Sequence, residues 1–429
     1  MKKEFGLIPW ACHANVYEVN TRQYTPEGTF DAFSTHLSRL SDMGVEVLWF
    51  MPVTPISVLN RKGSLGSYYA CSSYTKVNPE FGTLADFKSI VEKAHALGMK
   101  VVIDWVANHT GHDHEWTKDH PEFYKVNQDG KFYDAHGWED VIDLNYSNDD
   151  MRMTMIDCML YWIRECNIDG FRCDMAMLTP VDFWQQARQR VEQEKKLFWL
   201  AELDPLENPN YMQVFDAAYT WKWMHITKKF KDEGARHIHL LRDVLIQYGD
   251  MPQYTLPAWF TSNHDENSWN GTEYDKYGEM AAALAVFSST WTGISLIYSG
   301  QELPNPKRLS FFDKDTIEWE SNPQLHDFYK CLLNLRKQHP CFCNEQLPAK
   351  AMMIRNSIDH HILSYKRKSG DAVLLVLINL SQYDLQHIEV EIGEEAGCYE
   401  ELFTKEEKIV DGRYLYTNLN GWSFQIWIK

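Results

Sequence analysis

Short apolar runs alternate with amphipathic stretches through most of this chain. In order they are "ANVYEV" (14–19), "VEVLWF" (45–50), "KVVIDWV" (100–106), "DGFRCD" (169–174), "LFWLAE" (197–202), "AAYTW" (217–221), "AWFTSNHD" (258–265) and "ISLIYSG" (294–300). The runs read as buried parallel strands, because such strands are covered on both faces and lose the polar alternation of a solvated sheet. The stretches 31–44 and 84–98 have helical spacing and close on Gly44 and Gly98, as helices do. Eight strand–helix units predict a (β/α)8 TIM barrel. A doubly wound open sheet is the alternative, but no Gly-rich phosphate turn follows an early strand.

Two breaks in the repeat divide the chain. Residues 109–146, rich in His, Asp and aromatics, interrupt the third unit as a short inserted subdomain. After the last barrel unit the period changes to short alternating runs such as "AVLLVLINL", "HIEVEI" and "FQIWIK". They predict a C-terminal antiparallel β-sandwich over 345–429, leaving 1–108 and 147–344 to the catalytic barrel.

Composition narrows the partners. With 60 acidic against 42 basic residues, the formal charge of −18 repels phosphate backbones, so nucleic acid is excluded as a partner. No apolar run is long enough to span a membrane, and Glu4 interrupts the N-terminal Lys pair, so neither membrane nor secretory leader is expected. The nine cysteines are odd in number, scattered, and form no CxxC pair, which suits a reducing compartment, the cytoplasm. Aromatics reach 14 %. Most belong to the core, and the remainder suit a groove for the apolar faces of sugar rings.

The candidate chemistry sits where the strands end. Asp104, Asp174, Glu202 and Asp265 fall at the C-terminal ends of the third, fourth, fifth and seventh strands, the active face of a barrel. Strand alternation also puts Arg172 and Asp174 on one face, so that they touch. That contact is either a buried structural ion pair or a carboxylate kept ionised for chemistry.

The flanks "DWVANH" (104–109), "GFRCD" (170–174), "LAELD" (200–204) and "FTSNHD" (260–265), with "VNPEFGTLADF" (77–87) and "GISLIYSGQE" (293–302), occur in one order. Through them the chain resembles the α-amylase family of glycoside hydrolases, family thirteen, over nearly its whole length. The resemblance implies Asp174 as nucleophile, Glu202 as general acid/base and Asp265 as the third carboxylate, with Arg172 keeping Asp174 ionised. It implies His109 and His264 as ligands of the sugar at the cleavage subsite and Tyr69 as its stacking partner. Cleaving an acetal this way needs one neutral and one charged carboxyl at the same pH, so Arg172 is expected to lower Asp174, and burial with nearby charge to raise Glu202. The expected activity is a retaining α-glucan hydrolase acting on α-1,4 bonds of malto-oligosaccharides through a covalent glycosyl-enzyme. The rivals are a transglycosylase with the same residues and a non-catalytic carbohydrate-binding barrel.

Three departures from the family pattern qualify this expectation. Met177-Leu178 stand where many members place Lys-His, which makes the acceptor side more apolar. Ala70 replaces the Asp that closes the pocket of α-glucosidases, which argues for an open cleft, and Met175 gives no guide to linkage. The chemistry needs no cofactor; the resemblance allows a structural calcium at Asn108 and Asp143, although two side-chain oxygens fall short of the usual 6–8 ligands. His112, Asp113 and His114 invite a zinc site, but adjacent loop ligands rarely close one, and a polar rim of the cleft is the expected role.

Overall fold

Eight parallel strands close into a barrel, each paired with its neighbours in chain order and the last with the first. They are β1 (Asn15–Val19), β2 (Val47–Phe50), β3 (Lys100–Trp105), β6 (Gly170–Cys173), β7 (Phe198–Ala201), β8 (Ala217–Tyr219), β9 (Leu256–Trp259) and β10 (Ile294–Tyr298). The structure is a computed structural model that describes residues 5–252, 254–342 and 349–429. Seven of the expected runs contain one whole strand each, whereas 258–265 shares only Ala258 and Trp259 with β9, and β1 closes the barrel by pairing Asn15 with Ser295 on one side and Val16 with Val47 on the other. Gly170 is required by the pairing of β6 with β7: a Cβ there would lie 2.3 Å from the Phe198 carbonyl oxygen.

The helix Leu84–Ala96 forms as its pattern predicts, started by a capping box between Thr83 and Asp86. The stretch 31–44 instead breaks into Phe30–Ser34 and Leu37–Met43. At the break the Ser34 and Thr35 hydroxyls donate to the carbonyls of Asp31 and Ala32, giving the backbone a local alternative to continued helix.

The insertion is a two-stranded antiparallel ribbon, β4 (His109–Gly111) with β5 (Val141–Asp143), and the loop between them. His109 pairs with Asp143, so the ribbon starts and ends at the mouth of the barrel.

Beyond the barrel, β11 (Met352–Met353), β12 (Ile362–Ser369), β13 (Ala372–Asn379), β15 (Gly397–Glu401), β16 (Glu407–Val410) and β18 (Phe424–Ile428) form a six-stranded sheet. A two-stranded sheet, β14 (Leu385–Glu391) with β17 (Tyr414–Leu419), faces it. The period of two sorts β13: Val373, Leu375 and Leu377 pack toward β14 and β17, whereas Leu374, Val376 and Ile378 pack toward the barrel with Phe287 and Leu332. The expected boundary at 344–345 and Cys343 lie outside the described residues. No helix among the described residues is long and apolar enough to cross a membrane.

Candidate active site

Arg172, wholly buried on β6, organises the mouth of the barrel. Its Nη1 donates to both carboxylate oxygens of Asp104, at 3.0 and 3.2 Å, and to Asp174 Oδ1 at 3.1 Å. Its Nη2 lies 2.7 Å from Glu202 Oε2, an ion-pair distance outside hydrogen-bond alignment. Trp49, Tyr69 and Tyr219 present ring faces 4.9, 5.9 and 5.5 Å from the guanidinium carbon. Aromatic faces and three carboxyls thus compensate one desolvated cation.

Asp174 and Glu202 follow the last residues of β6 and β7, as expected. Asp265 does not end a strand. It lies in the first turn of the helix His264–Asn270, whose N-cap Asn263 accepts the Glu266 N–H at 2.7 Å. Between Asp174 and Glu202 the chain turns through Met175, a non-glycine residue in the left-handed region (φ 37°), whose N–H donates to Glu202 Oε2 at 2.9 Å. The turn aims a backbone donor at a functional carboxylate, a conformation that side chains usually avoid.

His264 is held at both ring nitrogens. Nδ1 lies 2.5 Å from Glu18 Oε1 on β1, and Nε2 lies 2.7 Å from the Tyr69 hydroxyl and 3.2 Å from Asp265 Oδ2. Burial alone would lower the imidazole, but Asp265 and Glu18 raise it well above the ordinary histidine range. The reciprocal effect appears at Asp265: burial pushes it up, yet His264 and Arg172 hold it below the ordinary aspartate value. The Tyr69 hydroxyl donates to Asp104 Oδ2 at 3.1 Å, and its ring stacks at 5.3 Å on His264. His109 meets Trp138 edge-on, and burial lowers it to about 4, so its ring is neutral at pH 7.

One expectation about charge is corrected. Burial first, then the Glu202 carboxylate, push Asp174 well above the ordinary aspartate range, and Arg172 opposes them without prevailing. The cause is sharing: one guanidinium faces Asp104 and Glu202 as well as Asp174. Protons in such a cluster belong to the coupled groups together.

Above these residues lies a cleft of about 440 Å³, lined among others by Tyr69, His109, Asp174, Glu202, Asp265 and an aromatic side formed by Trp269, Phe311 and Phe312. Apolar rings with convergent carboxyls and imidazoles suit a ring-shaped polyol whose faces are apolar and whose edges carry hydroxyls.

The sequence profile described as the α-amylase catalytic domain matches residues 14–136 and 123–321. The chain belongs to the α-amylase family. Among curated relatives, this member is 25 % identical over 393 residues to the α-amylase MalA of Haloarcula japonica, covering 88 % of this chain and 57 % of MalA. It is 26 % identical over 416 residues to an α-1,4-glucan:maltose-1-phosphate maltosyltransferase of Corynebacterium pseudotuberculosis, covering 86 % and 59 %. The chain therefore spans less than three fifths of the length of these two relatives. Among solved structures it resembles a maltogenic α-amylase, AmyB, from Thermotoga neapolitana, with TM-score 0.87, 28 % identity and coverage of 97 % and 98 %. An α-amylase from Lactobacillus plantarum gives TM-score 0.85, 29 % identity and coverage of 98 % and 100 %.

The pair suggested for calcium in this α-amylase-family chain is otherwise engaged. Asp143 Oδ2 accepts from Lys125 Nζ at 3.0 Å and from the Ala135 N–H at 3.4 Å. The Asn108 side-chain nitrogen points to Asp143 Oδ1 at 3.4 Å and to His109 Nδ1 at 3.2 Å. An ammonium at the carboxylate and an amide nitrogen facing it do not fit a calcium ion, which needs oxygen ligands. His112, Asp113 and His114 turn to separate partners: the Glu139 carbonyl, the N–H groups of Val58 and Leu59, and the Trp116 N–H. Among the described residues no three His, Cys, Asp or Glu side chains form a ready metal cluster.

Several site residues escaped the sequence reading. Glu18 is a buried acid one residue from the end of β1, so the strand-end criterion that selected Asp104 also applied to it. Trp138, Trp269, Phe311 and Phe312 come from loops or a short helix and carry no periodic signal. Ala70 is buried, and its carbonyl accepts the Ser57 N–H at 2.7 Å. Met177 packs against the core, and the Tyr211 hydroxyl donates to its carbonyl at 3.1 Å.

Proposed function

We propose that this family member is a retaining α-glucan hydrolase that cleaves α-1,4-glucosidic bonds of malto-oligosaccharides through a covalent intermediate on Asp174. The observation that carries the proposal is the convergence of Asp174, Glu202 and Asp265 on one aromatic-sided cleft, with Arg172 and His264 behind them. Glu202 protonates the departing glycosidic oxygen while Asp174 attacks the anomeric carbon; a water deprotonated by Glu202 then releases the sugar. Because Met175 N–H and Arg172 hold Oε2, Oε1 is the oxygen assigned to that proton. The positive charge growing at the anomeric carbon favours the ionised form of Asp174, so the substrate itself drives the proton distribution that attack requires. Asp265, held low by His264, remains an anion beside the reacting sugar. A cytoplasmic site of action is part of the proposal, supported by the scattered cysteines, six of which are buried among the described residues and behave as small hydrophobes.

A second reading, transfer to another sugar instead of water, rests on relatives named as maltosyltransferases. Timed chromatography of products from maltoheptaose, with Glu202→Gln and Asp174→Asn as controls, tests both. Short α-1,4 products, with α configuration at the new reducing end and a loss of roughly 10²–10⁴-fold in Glu202→Gln, are expected. Products longer than the substrate would establish transfer. Inversion, or full activity in Asp174→Asn, would overturn the nucleophile assignment.

A further inference from the structure

The loop after β2 crosses the mouth of the cleft and is fastened to the structure on both sides. On one side Asp313 Oδ1 accepts from the Ser64 N–H at 2.7 Å and hydroxyl at 2.6 Å, and the Leu65 N–H donates to the Phe312 carbonyl at 3.0 Å. Gly63, at φ 62°, lets the loop lie directly against Phe312, where a Cβ would come within 2.5 Å of the Phe312 Cβ. On the other side Asp113 of the insertion caps the N–H groups of Val58 and Leu59 at 2.9 and 3.0 Å. Arg61 braces the span internally through the carbonyls of Ser57 and Ser64.

At the middle of this span Lys62 Nζ reaches Asp140 Oδ1 of the insertion at 3.1 Å. Both residues line the cleft; Lys62 is 36 % exposed and Asp140 is 9 % exposed at the side chain. Asp140 is also close enough to His109 to raise its proton affinity. The ion pair therefore runs from the Phe312 side of the cleft to the His109–Trp138 side. Among the described residues no other fastening of this loop places two oppositely charged groups on the cleft surface itself.

We infer that the Lys62–Asp140 pair is a clasp that sets the chain length the cleft accepts. It bars passage of a continuing glucan and presents an ammonium and a carboxylate to the hydroxyls of a terminal sugar. This rests on the α-glucan reading above, and it reverses the open cleft that Ala70 suggested. The reversal has a physical basis: Ala70 is buried beneath the loop, whereas the charged groups facing the substrate come from Lys62 and Asp140. With Lys62 about a third exposed, solvent screens the pair enough for it to be reopened, so the clasp biases selection between substrates.

The test is the ratio of kcat/KM on amylose to that on maltotriose, measured in the intact protein, in Lys62→Asp, in Asp140→Lys, and in the double charge swap. Each single variant opposes like charges across the gap and is expected to raise the ratio roughly fivefold, equivalent to about 1 kcal/mol. The double swap restores a pair of opposite charges and is expected to bring the ratio back toward its original value. A ratio unmoved by either single variant, or raised in the swap as much as in the singles, overturns the clasp. If the intact protein cleaves neither amylose nor maltotriose, the α-glucan reading fails and the clasp falls with it. Cleavage with an unmoved ratio sinks the clasp alone.

Discussion

Glu18 and Asp265 flank one imidazole, and the charge of His264 depends on both. With its Nδ1 at 2.5 Å from Glu18, His264 keeps a proton well above the ordinary range and remains a cation beside Asp265. Glu18→Gln removes one of the two negative charges that raise it. The imidazole then loses its proton at a lower pH, so the alkaline limb of the kcat/KM profile moves toward acid while the acid limb stays near its place. A fall in activity with no movement of that limb would assign Glu18 a packing role only. Asp174, Glu202 and Arg172 were legible in the sequence because strand ends select a face of the barrel and alternation pairs Arg172 with Asp174. The direction of the Asp174 shift was not, because it depends on how many carboxyls share Arg172, and Asp104 and Glu202 reach it from other strands. Phe311 and Phe312 were illegible for a different reason: a loop has no period to mark which side chain faces a cleft.

At the scale of elements, the insertion shows how a segment without strong periodicity is fixed by charge. Asp143 is fully buried on β5, and Lys125 brings an ammonium to it from the connecting loop. That contact ties the loop to the ribbon at the point where the family resemblance allowed a structural calcium. Chelation by EDTA is therefore expected to leave Tm unchanged, while Lys125→Ala costs about 1–2 kcal/mol, discounted because Lys125 is partly exposed, and lowers Tm by a few degrees. A drop in Tm with EDTA that calcium reverses would show that a metal, not the lysine, holds the ribbon. Neighbouring elements differ in legibility for local reasons. The helix Leu84–Ala96 carries its own start signal in Thr83 and Asp86, so its extent follows from the sequence. The break near Ser34 and Thr35 does not, because a hydroxyl in a helical pattern gives no sign whether it will face solvent or return to the backbone. The early start of the helix carrying Asp265 was hidden likewise, since "TSNHD" continues an apolar strand while Asn263 already caps the next element.

The whole molecule joins its two parts at the end of the barrel away from the cleft. Arg367 on β12 is buried in that joint, where Nη1 donates to the carbonyls of Thr290 and Trp291, just before β10, at 3.1 and 3.0 Å. Its Nη2 donates to the Cys341 carbonyl at 2.9 Å, and the guanidinium lies 4.1 Å over the Phe342 ring. The Tyr365 and Thr290 hydroxyls meet at 2.6 Å beside it, and the apolar face of β13 covers Phe287 and Leu332. The alternating runs after the barrel announced these sheets, but which face of β13 meets the barrel required both partners to be in place. The barrel and the inward face of β13 share one hydrophobic cluster, so heating is expected to unfold them in a single cooperative transition. Arg367→Met keeps the apolar stem but strands three buried carbonyls, each costing about 1 kcal/mol or more, for a total of about 3 kcal/mol. Calorimetry should show a lower Tm with the transition still single, and kcat measured below the transition should be unchanged, because the site lies at the opposite end of the strands. Two separated transitions in the intact protein would mean that the sheets fold independently and that Arg367 only docks them.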